Sequence, residues 1–403
     1  MKPPAEHITD AMGSIDRHGI YLDYQATTPL DPRVLEAMLP HLTALGNPHS
    51  SRHDHGTAAM AAVDTARAQV AALVGAEPDE IVFTSGATEA DNLAIKGALA
   101  SSRRDGVVTL ATEHHAVLDV VLATGRRGAR STIIGVDGEG LVDLDALAQT
   151  VDEGTAVVSA MAANNEIGVL QPLAEISRIA KRAGALFHSD AAQAIGKVPF
   201  DVAETGVDMV SISSHKLYGP MGVGALYMSR DAGRRISPII EGGGQERGFR
   251  SGTLPVALCV GFGEACRISG EVMTKEAGLL RELRAAFMER LREIGVRFTI
   301  NGTMGERLPG NLNLSFDGVD AEALLMRLRG KVSVASGSAC TSDSLDPSHV
   351  VMALGFGLER AEEAIRIGFG RFTTLDEVLT GAGTMAEAVA KLRRVGYNRT
   401  KGA

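Results

Sequence analysis

Through the first two thirds of the chain, short apolar runs of strand length alternate with stretches of helical periodicity. An Ile-Val-Phe run at 81–83 precedes a helical pattern over 87–100. Further apolar runs lie at 107–110, 132–136, 156–162 and 209–212, with a helical stretch at 173–183 among them. This alternation predicts an α/β fold, with a mainly parallel sheet covered by the helices that carry each strand back to the start of the next. Ligands in such sheets collect at the carboxyl ends of the strands, and here polar residues capable of chemistry follow the apolar runs repeatedly.

After Pro255 the texture changes. A helical pattern covers about 256–294, with frequent charges between 275 and 293. A second, smaller α/β set follows, with strand-like runs at 296–300, 312–316 and 365–369 and helical patterns at 321–329 and 375–392. The expected division is an N-terminal extension over 1–20, a large domain over 21–270 and a small C-terminal domain over 271–403, with the boundary inside the long helix near Gly270. The first residues of the large domain are free to pack on the small one. A chain of 403 residues is long enough for two such cores. The polar segment from Met1 to Asp16 has no apolar signal core and reads as a frayed extension.

Charge and cysteine usage exclude some functions. Forty basic against 49 acidic residues give a net charge of −9, which argues against a broad nucleic-acid-binding face. No apolar run is long enough to span a bilayer, so no membrane partner is expected. The three cysteines, Cys259, Cys266 and Cys340, are too few and odd in number for a disulfide framework, which points to a reducing, cytoplasmic setting.

Two residues at run ends carry the chemistry. Lys216 lies in Ser213-Ser214-His215-Lys216 directly after the run 209–212, and Asp190 ends the run that includes His188 and Ser189. A lysine and a carboxylate on neighbouring strand ends suit pyridoxal phosphate: the amine condenses with the aldehyde, and the carboxylate keeps the pyridine nitrogen protonated. Thr84-Ser85-Gly86-Ala87-Thr88-Glu89 joins a strand to a helix, where small residues let backbone N–H groups approach an anion. An ordinary helix cap is the competing reading. Ser213 and His215 could also donate to a phosphate, and the glycine-rich stretch 241–253 offers Arg250 and Thr253, unless it is simply a surface loop.

His114, after the run 107–110, could stack on a ring and move protons near neutral pH. Asn165, after the run 156–162, could donate to a ring oxygen or a substrate carboxylate, or belong to an Asn-rich turn. Arg366 is a charge inside an apolar strand. Burying it requires a partner, either a carboxylate ligand held bidentately or a structural salt bridge. No metal site is expected.

Cys340 sits in Ser336-Gly337-Ser338-Ala339-Cys340-Thr341-Ser342, a small, polar, turn-prone stretch with no apolar period to bury. It should be an exposed, mobile loop. A cysteine there suits a nucleophile that visits one site and carries its load to another, acting as the thiolate. Cys259 and Cys266, within an apolar helix, read as core.

Taken together, these motifs resemble the cysteine desulfurases of the nitrogen-fixation and iron–sulfur-assembly type, which belong to the class V aminotransferase family of fold-type I PLP enzymes. The resemblance runs from Tyr21-Leu22-Asp23-Tyr24-Gln25-Ala26-Thr27-Thr28-Pro29 to Gly370-Arg371-Phe372-Thr373-Thr374. On the way it takes in Ser85 to Glu89, Asn164 to Gly168, His215-Lys216 with Tyr218-Gly219-Pro220, Arg250 to Thr253 and Gly337 to Ser342, in the family's order. It implies a large domain with a mainly parallel seven-stranded sheet plus a smaller C-terminal α/β domain.

The resemblance also implies roles. Lys216 is the Schiff-base lysine, Asp190 pairs with the pyridine nitrogen, Gln193 bonds the ring oxygen, and His114 stacks on the ring and transfers protons. Ala87, Thr88, Ser213 and His215 hold the phosphate, with Thr253 supplied by the partner subunit of a homodimer. Asn165 and Arg366 bind the carboxylate of an L-cysteine substrate, and Cys340 accepts its sulfur as a persulfide. The sulfur then passes to an acceptor protein, either a cluster scaffold or a specialised thiolation partner such as one serving DNA phosphorothioation. Ala192 departs from the threonine or valine often found there, and the chain ends at Lys401-Gly402-Ala403, without the longer tail that docks the scaffold in housekeeping relatives. Two alternatives stay open: another class V enzyme, such as an aminotransferase or a selenocysteine lyase, and a non-catalytic binding scaffold.

Overall fold

The computed structural model describes residues 19–337 and 347–400. Numbered along the chain, its strands are β1 (Ile20–Tyr21), β2 (Ile81–Thr84), β3 (Gly106–Leu110), β4 (Arg130–Ile134), β5 (Thr155–Ser159), β6 (Leu186–Asp190), β7 (Met209–Ser213), β8 (Gly224–Met228), β9 (Thr299–Ile300), β10 (Asn311–Ser315), β11 (Val332–Ser333), β12 (Ala335–Ser336) and β13 (Ala364–Gly368). Seven of them form one sheet in the order β2-β8-β7-β6-β5-β3-β4. The pairs from β7 through β6, β5 and β3 to β4 are parallel, while β8 runs antiparallel to both of its neighbours. This is the mainly parallel seven-stranded sheet expected from the sequence.

The strands read as unbroken apolar runs because both faces are covered. Successive residues point to opposite sides of a strand, and here they enter two different cores. Phe83, Val108, Phe187, Val210 and Tyr227 join a cluster with the helices Asp54–Val74, Leu173–Arg182 and the start of Val256–Glu293. Their neighbours Val82, Val107, Leu186, Met209 and Leu226 join a second cluster with the helices Ala87–Ser101 and His115–Gly125. β4, at the sheet edge, is the half-exposed strand and begins on an exposed arginine, a charge that discourages further strand pairing.

A separate apolar cluster gathers Leu312, Leu314 and Phe316 of β10, Ile365 and Ile367 of β13, and Val378 and Met385 of the helix Leu375–Thr400. Its sheet is antiparallel, in the order β12-β13-β10-β9. β1 pairs in parallel with β11, and Leu22 lies in this cluster. The 38-residue helix Val256–Glu293 belongs to both bodies: Cys259, Phe262 and Cys266 are in the first core, and Leu283, Phe287 and Leu291 in the third. No described helix is long and apolar enough to cross a membrane.

Candidate active site

At the carboxyl ends of β2, β3, β5, β6 and β7 the chain turns away from the sheet, and the turns enclose a cavity of about 560 Å3. Of the residues singled out in the sequence, Ala87, Thr88, His114, Asn165, Asp190, Gln193, Ser213, His215, Lys216 and Arg366 all line it. Thr253 does not; it is exposed on the surface of its own chain. Cys340 lies outside the described residues.

Lys216 ends the short 3-10 turn Ser214–Lys216 that follows β7. Its Nζ donates to the backbone carbonyls of Gln25 at 2.8 Å and Ala26 at 2.6 Å. The turn is held under strain: Tyr218 has φ of +66°, a region that costs a non-glycine residue free energy and persists only when its surroundings fix it. Here Thr28 Oγ1 accepts from the Tyr218 N–H at 2.7 Å, and the Arg371 guanidinium lies 4.1 Å above the tyrosine ring.

Asp190 is the last residue of β6 and is almost fully buried. The polypeptide gives it one backbone N–H, from Ala192 at 2.9 Å. Burial raises its pKa, and the Ala192 bond, His114 and Lys216 only partly offset this. Behind it lies Asp91, fully buried on the helix Ala87–Ser101, with neither carboxyl oxygen hydrogen-bonded. Burial first, and then the neighbouring Asp190, push Asp91 well above the usual carboxylate range. Two adjacent buried carboxyls cannot both ionise cheaply, so the pair holds a proton more readily than free carboxylates do. What Asp190 lacks is a cation, and a protonated pyridine nitrogen supplies one.

His114 caps the helix His115–Gly125, its Nδ1 accepting from the Ala116 N–H at 3.1 Å. That bond puts the proton of the neutral ring on Nε2. Burial lowers the His114 pKa, with Asp190 opposing, which favours the neutral ring. His215 is driven down to about 4, chiefly by burial and then by Lys216 and Lys197. Thr27 Oγ1 lies 3.0 Å from its Nδ1.

The opposite end of the cavity suits an anion. The helix Ala87–Ser101 begins after Gly86, which has no side chain to cap it. Its first-turn N–H groups therefore lack a protein acceptor where Ala87 and Thr88 face the cavity. Ser85 N–H is already committed to Glu89 Oε2 at 2.9 Å, and Arg250 holds Glu89 at 2.8 Å.

Arg366 unites the two readings that the sequence left open. It is buried on β13 and pairs with Asp23 at 2.8 Å, and its Nη1 donates to the Asn165 carbonyl at 3.3 Å. Nε has no partner, and the residue lines the cavity. A salt bridge therefore orients a guanidinium that still has capacity for a second carboxylate.

Sequence reasoning missed Asp91 and Gln25. Asp91 left a signal, a carboxyl on an otherwise apolar helix face beside Ala90 and Ala94. Gln25 left none, because it holds Lys216 through its backbone.

An unneutralised carboxyl, an amine on two carbonyls, a neutral imidazole and an uncapped helix start form a donor and acceptor set that fits pyridoxal phosphate. Comparison with known proteins agrees. The Cysteine desulfurase IscS of Rickettsia felis is 47% identical over 379 residues, covering 93% of this chain and 92% of that protein. A solved NifS-like protein superposes with a TM-score of 0.86 at 36% identity, covering 92% of this chain and 99% of that one. The structure of SspA in complex with cysteine gives a TM-score of 0.77 at 32% identity, covering 88% and 100%. The family model for class-V aminotransferases matches residues 20–380, and the chain therefore belongs to the class-V aminotransferase family, whose coenzyme is pyridoxal phosphate.

Proposed function

We propose that the protein is a cysteine desulfurase, converting L-cysteine to L-alanine and capturing the sulfur as a persulfide on Cys340. The observation that carries this reading is the meeting, in one cavity, of Lys216 with a buried Asp190 that the protein leaves without a cation. The high identity to a protein named as a cysteine desulfurase supports the choice of substrate.

In this reading Asp190 holds the pyridine nitrogen, Gln193 the ring oxygen, His114 the ring face, and Ala87, Thr88, Ser213 and His215 the phosphate. Bound there, the coenzyme supplies an aldehyde that links to amines and a protonated ring that withdraws electrons from the substrate's Cα. The chain's own residues do the rest. Arg366 and Asn165 grasp the substrate carboxylate and fix which Cα bond faces Lys216. His114 lies against the ring face and offers its Nε2–H as a hydrogen-bond donor to the amines exchanged there. Lys216 Nζ, displaced by the substrate, removes the Cα proton. The Cys340 thiolate attacks the substrate sulfur; the sulfur–Cβ bond breaks, its electron pair stays with the three-carbon fragment, and that fragment takes up protons and leaves as alanine.

We read the working unit as a homodimer, in which Thr253, exposed on its own chain, completes the partner's phosphate site. Cys340 then hands its sulfur to an acceptor protein in the cytoplasm, a cluster scaffold or a thiolation partner. The test is sulfide and alanine production from L-cysteine with reductant. Cys340→Ser should reduce it at least a hundredfold while leaving the coenzyme absorption in place. Undiminished turnover in that variant, or a keto acid as product, would point instead to an aminotransferase.

A further inference from the structure

Lys197 is a lysine that the mechanism above leaves unused. It stands one helical turn after Gln193, in a stretch closed by the bonds from Ile195 N–H to Ala191 O and from Lys197 N–H to Ala194 O, both 3.0 Å. Its Nζ donates to Gln193 Oε1 at 2.7 Å. Gln193 Nε2 donates in turn to the Gln25 carbonyl at 2.9 Å, the same carbonyl that receives Lys216 Nζ at 2.8 Å. An ammonium cannot accept and a carbonyl cannot donate, so both ends of the amide are fixed. One N–H of Gln193 remains, and the residue lines the cavity.

The surroundings make this lysine costly. Burial, with Lys216 and Arg366 nearby, brings its pKa down to about 7. His215 feels its charge as well. On the other side Lys197 borders a small cavity shared with Tyr24, Tyr218 and Glu276, and Glu276 is taken up by Arg371 at 2.5 Å. The bond to Gln193 is the one hydrogen bond of the Lys197 side chain among the described residues. A purely structural donor to one amide oxygen would not need a charge there, since burying an ammonium is expensive.

We propose that Lys197 is a positioning residue of the coenzyme site: through Gln193 it keeps an amide N–H turned toward the coenzyme's ring oxygen and sets the positive potential at that oxygen. The proposal rests on the coenzyme reading above. It places a cation one side chain behind the ring, opposing protonation of the nitrogen that joins the coenzyme to Lys216.

The test is a pH titration of the holoenzyme's visible absorption, with pyridoxal phosphate affinity measured alongside, for the wild type, Lys197→Met, Lys197→Gln and Lys197→Arg. Loss of the cation should raise the absorption midpoint by about one pH unit in the Met and Gln variants, and Arg should restore it. Coenzyme affinity should fall about tenfold in the Met variant and less in the Gln variant, which still offers a donor. Unshifted midpoints in both uncharged variants, with only thermal stability lowered, would overturn the proposal. Should Lys197→Met not fold, Lys197→Gln decides the matter alone. A wild-type protein that takes up no pyridoxal phosphate would remove the coenzyme reading and this inference together, whereas normal uptake with unshifted variants removes the inference only.

Discussion

Buried carboxyls in this protein fall into two groups that behave in opposite ways. Those that brace the scaffold come with their cations. Glu246 meets Arg67 through two bonds of 2.7 Å and also accepts from the Phe83 N–H, so the glycine-rich stretch is stitched to β2. Asp31 is held by Arg33 and Arg371, each at 2.7 Å, and its pKa is lowered to about 2, the arginine bonds outweighing its burial. Four further buried carboxyls, Asp190, Asp91, Glu113 and Glu166, have no arginine bonded to them, whereas Glu89, which lines the cavity with the first two, keeps Arg250. Asp190 has one backbone N–H. Asp91 has only His188 at 3.5 Å and the nearby Ser211, and Glu113, raised by burial, has one free oxygen. Glu166 is brought up to about 7 by burial, which its Ser348 bond and the nearby Arg366 only partly offset. Glu246 and Asp31 carry their countercharge within the chain, whereas Asp190 is left for a ligand to neutralise.

The strongest challenge to this contrast is Asp190→Asn. Turnover should fall by about 10²–10⁴-fold, while the melting temperature stays the same or rises, because an unneutralised buried charge has been removed. A large loss of stability with activity retained would put Asp190 among the scaffold carboxyls. Glu246→Ala should do the reverse. It leaves Arg67 buried without its partner, so unfolding in urea should show about 3–5 kcal/mol of destabilisation, with the bound coenzyme's spectrum unchanged.

Glu166 gives the smallest effect and the most telling pH dependence. Its folded pKa, at about 7, lies above the unfolded value, so the folded state holds the proton more tightly. Its stabilising contribution is complete below about pH 4.5 and is lost as pH rises through 7. Glu166→Gln should therefore be more stable than the wild type above pH 7, by about 1–3 kcal/mol, and the advantage should vanish toward pH 4.5. Thermal melts across that range check it; equal pH profiles would show that Glu166 is solvated like a surface carboxylate.

Much of this was legible in the sequence, for physical reasons. The sheet could be read because parallel strands covered on both faces are continuous apolar runs, and the site motifs could be read because they follow those runs directly. The strands β1, β11 and β12, two residues each, could not be read that way, and of the run 296–300 only the last two residues pair, as β9. They exist through pairing with partners far along the chain, and two residues show no period. The stretch 156–162 looked like one strand, but β5 ends at Ser159 and the alanines beyond it turn into the site. Arg366 could be identified as a charge needing a partner, but its link to Asp23 joins residues more than three hundred positions apart. Asp91 and Lys197 escaped for the same reason: a carboxyl on a helix and a lysine in a turn gain meaning only from what packs against them.

The helix from Val256 to Glu293 ties the two bodies into one frame. Lys216 follows β7 of the large sheet and Arg366 stands on β13 of the small one, and both reach one pocket. An amine and a guanidinium contributed by different sheets therefore share one chamber, and whatever holds the two cores together also holds the two ends of that chamber in register.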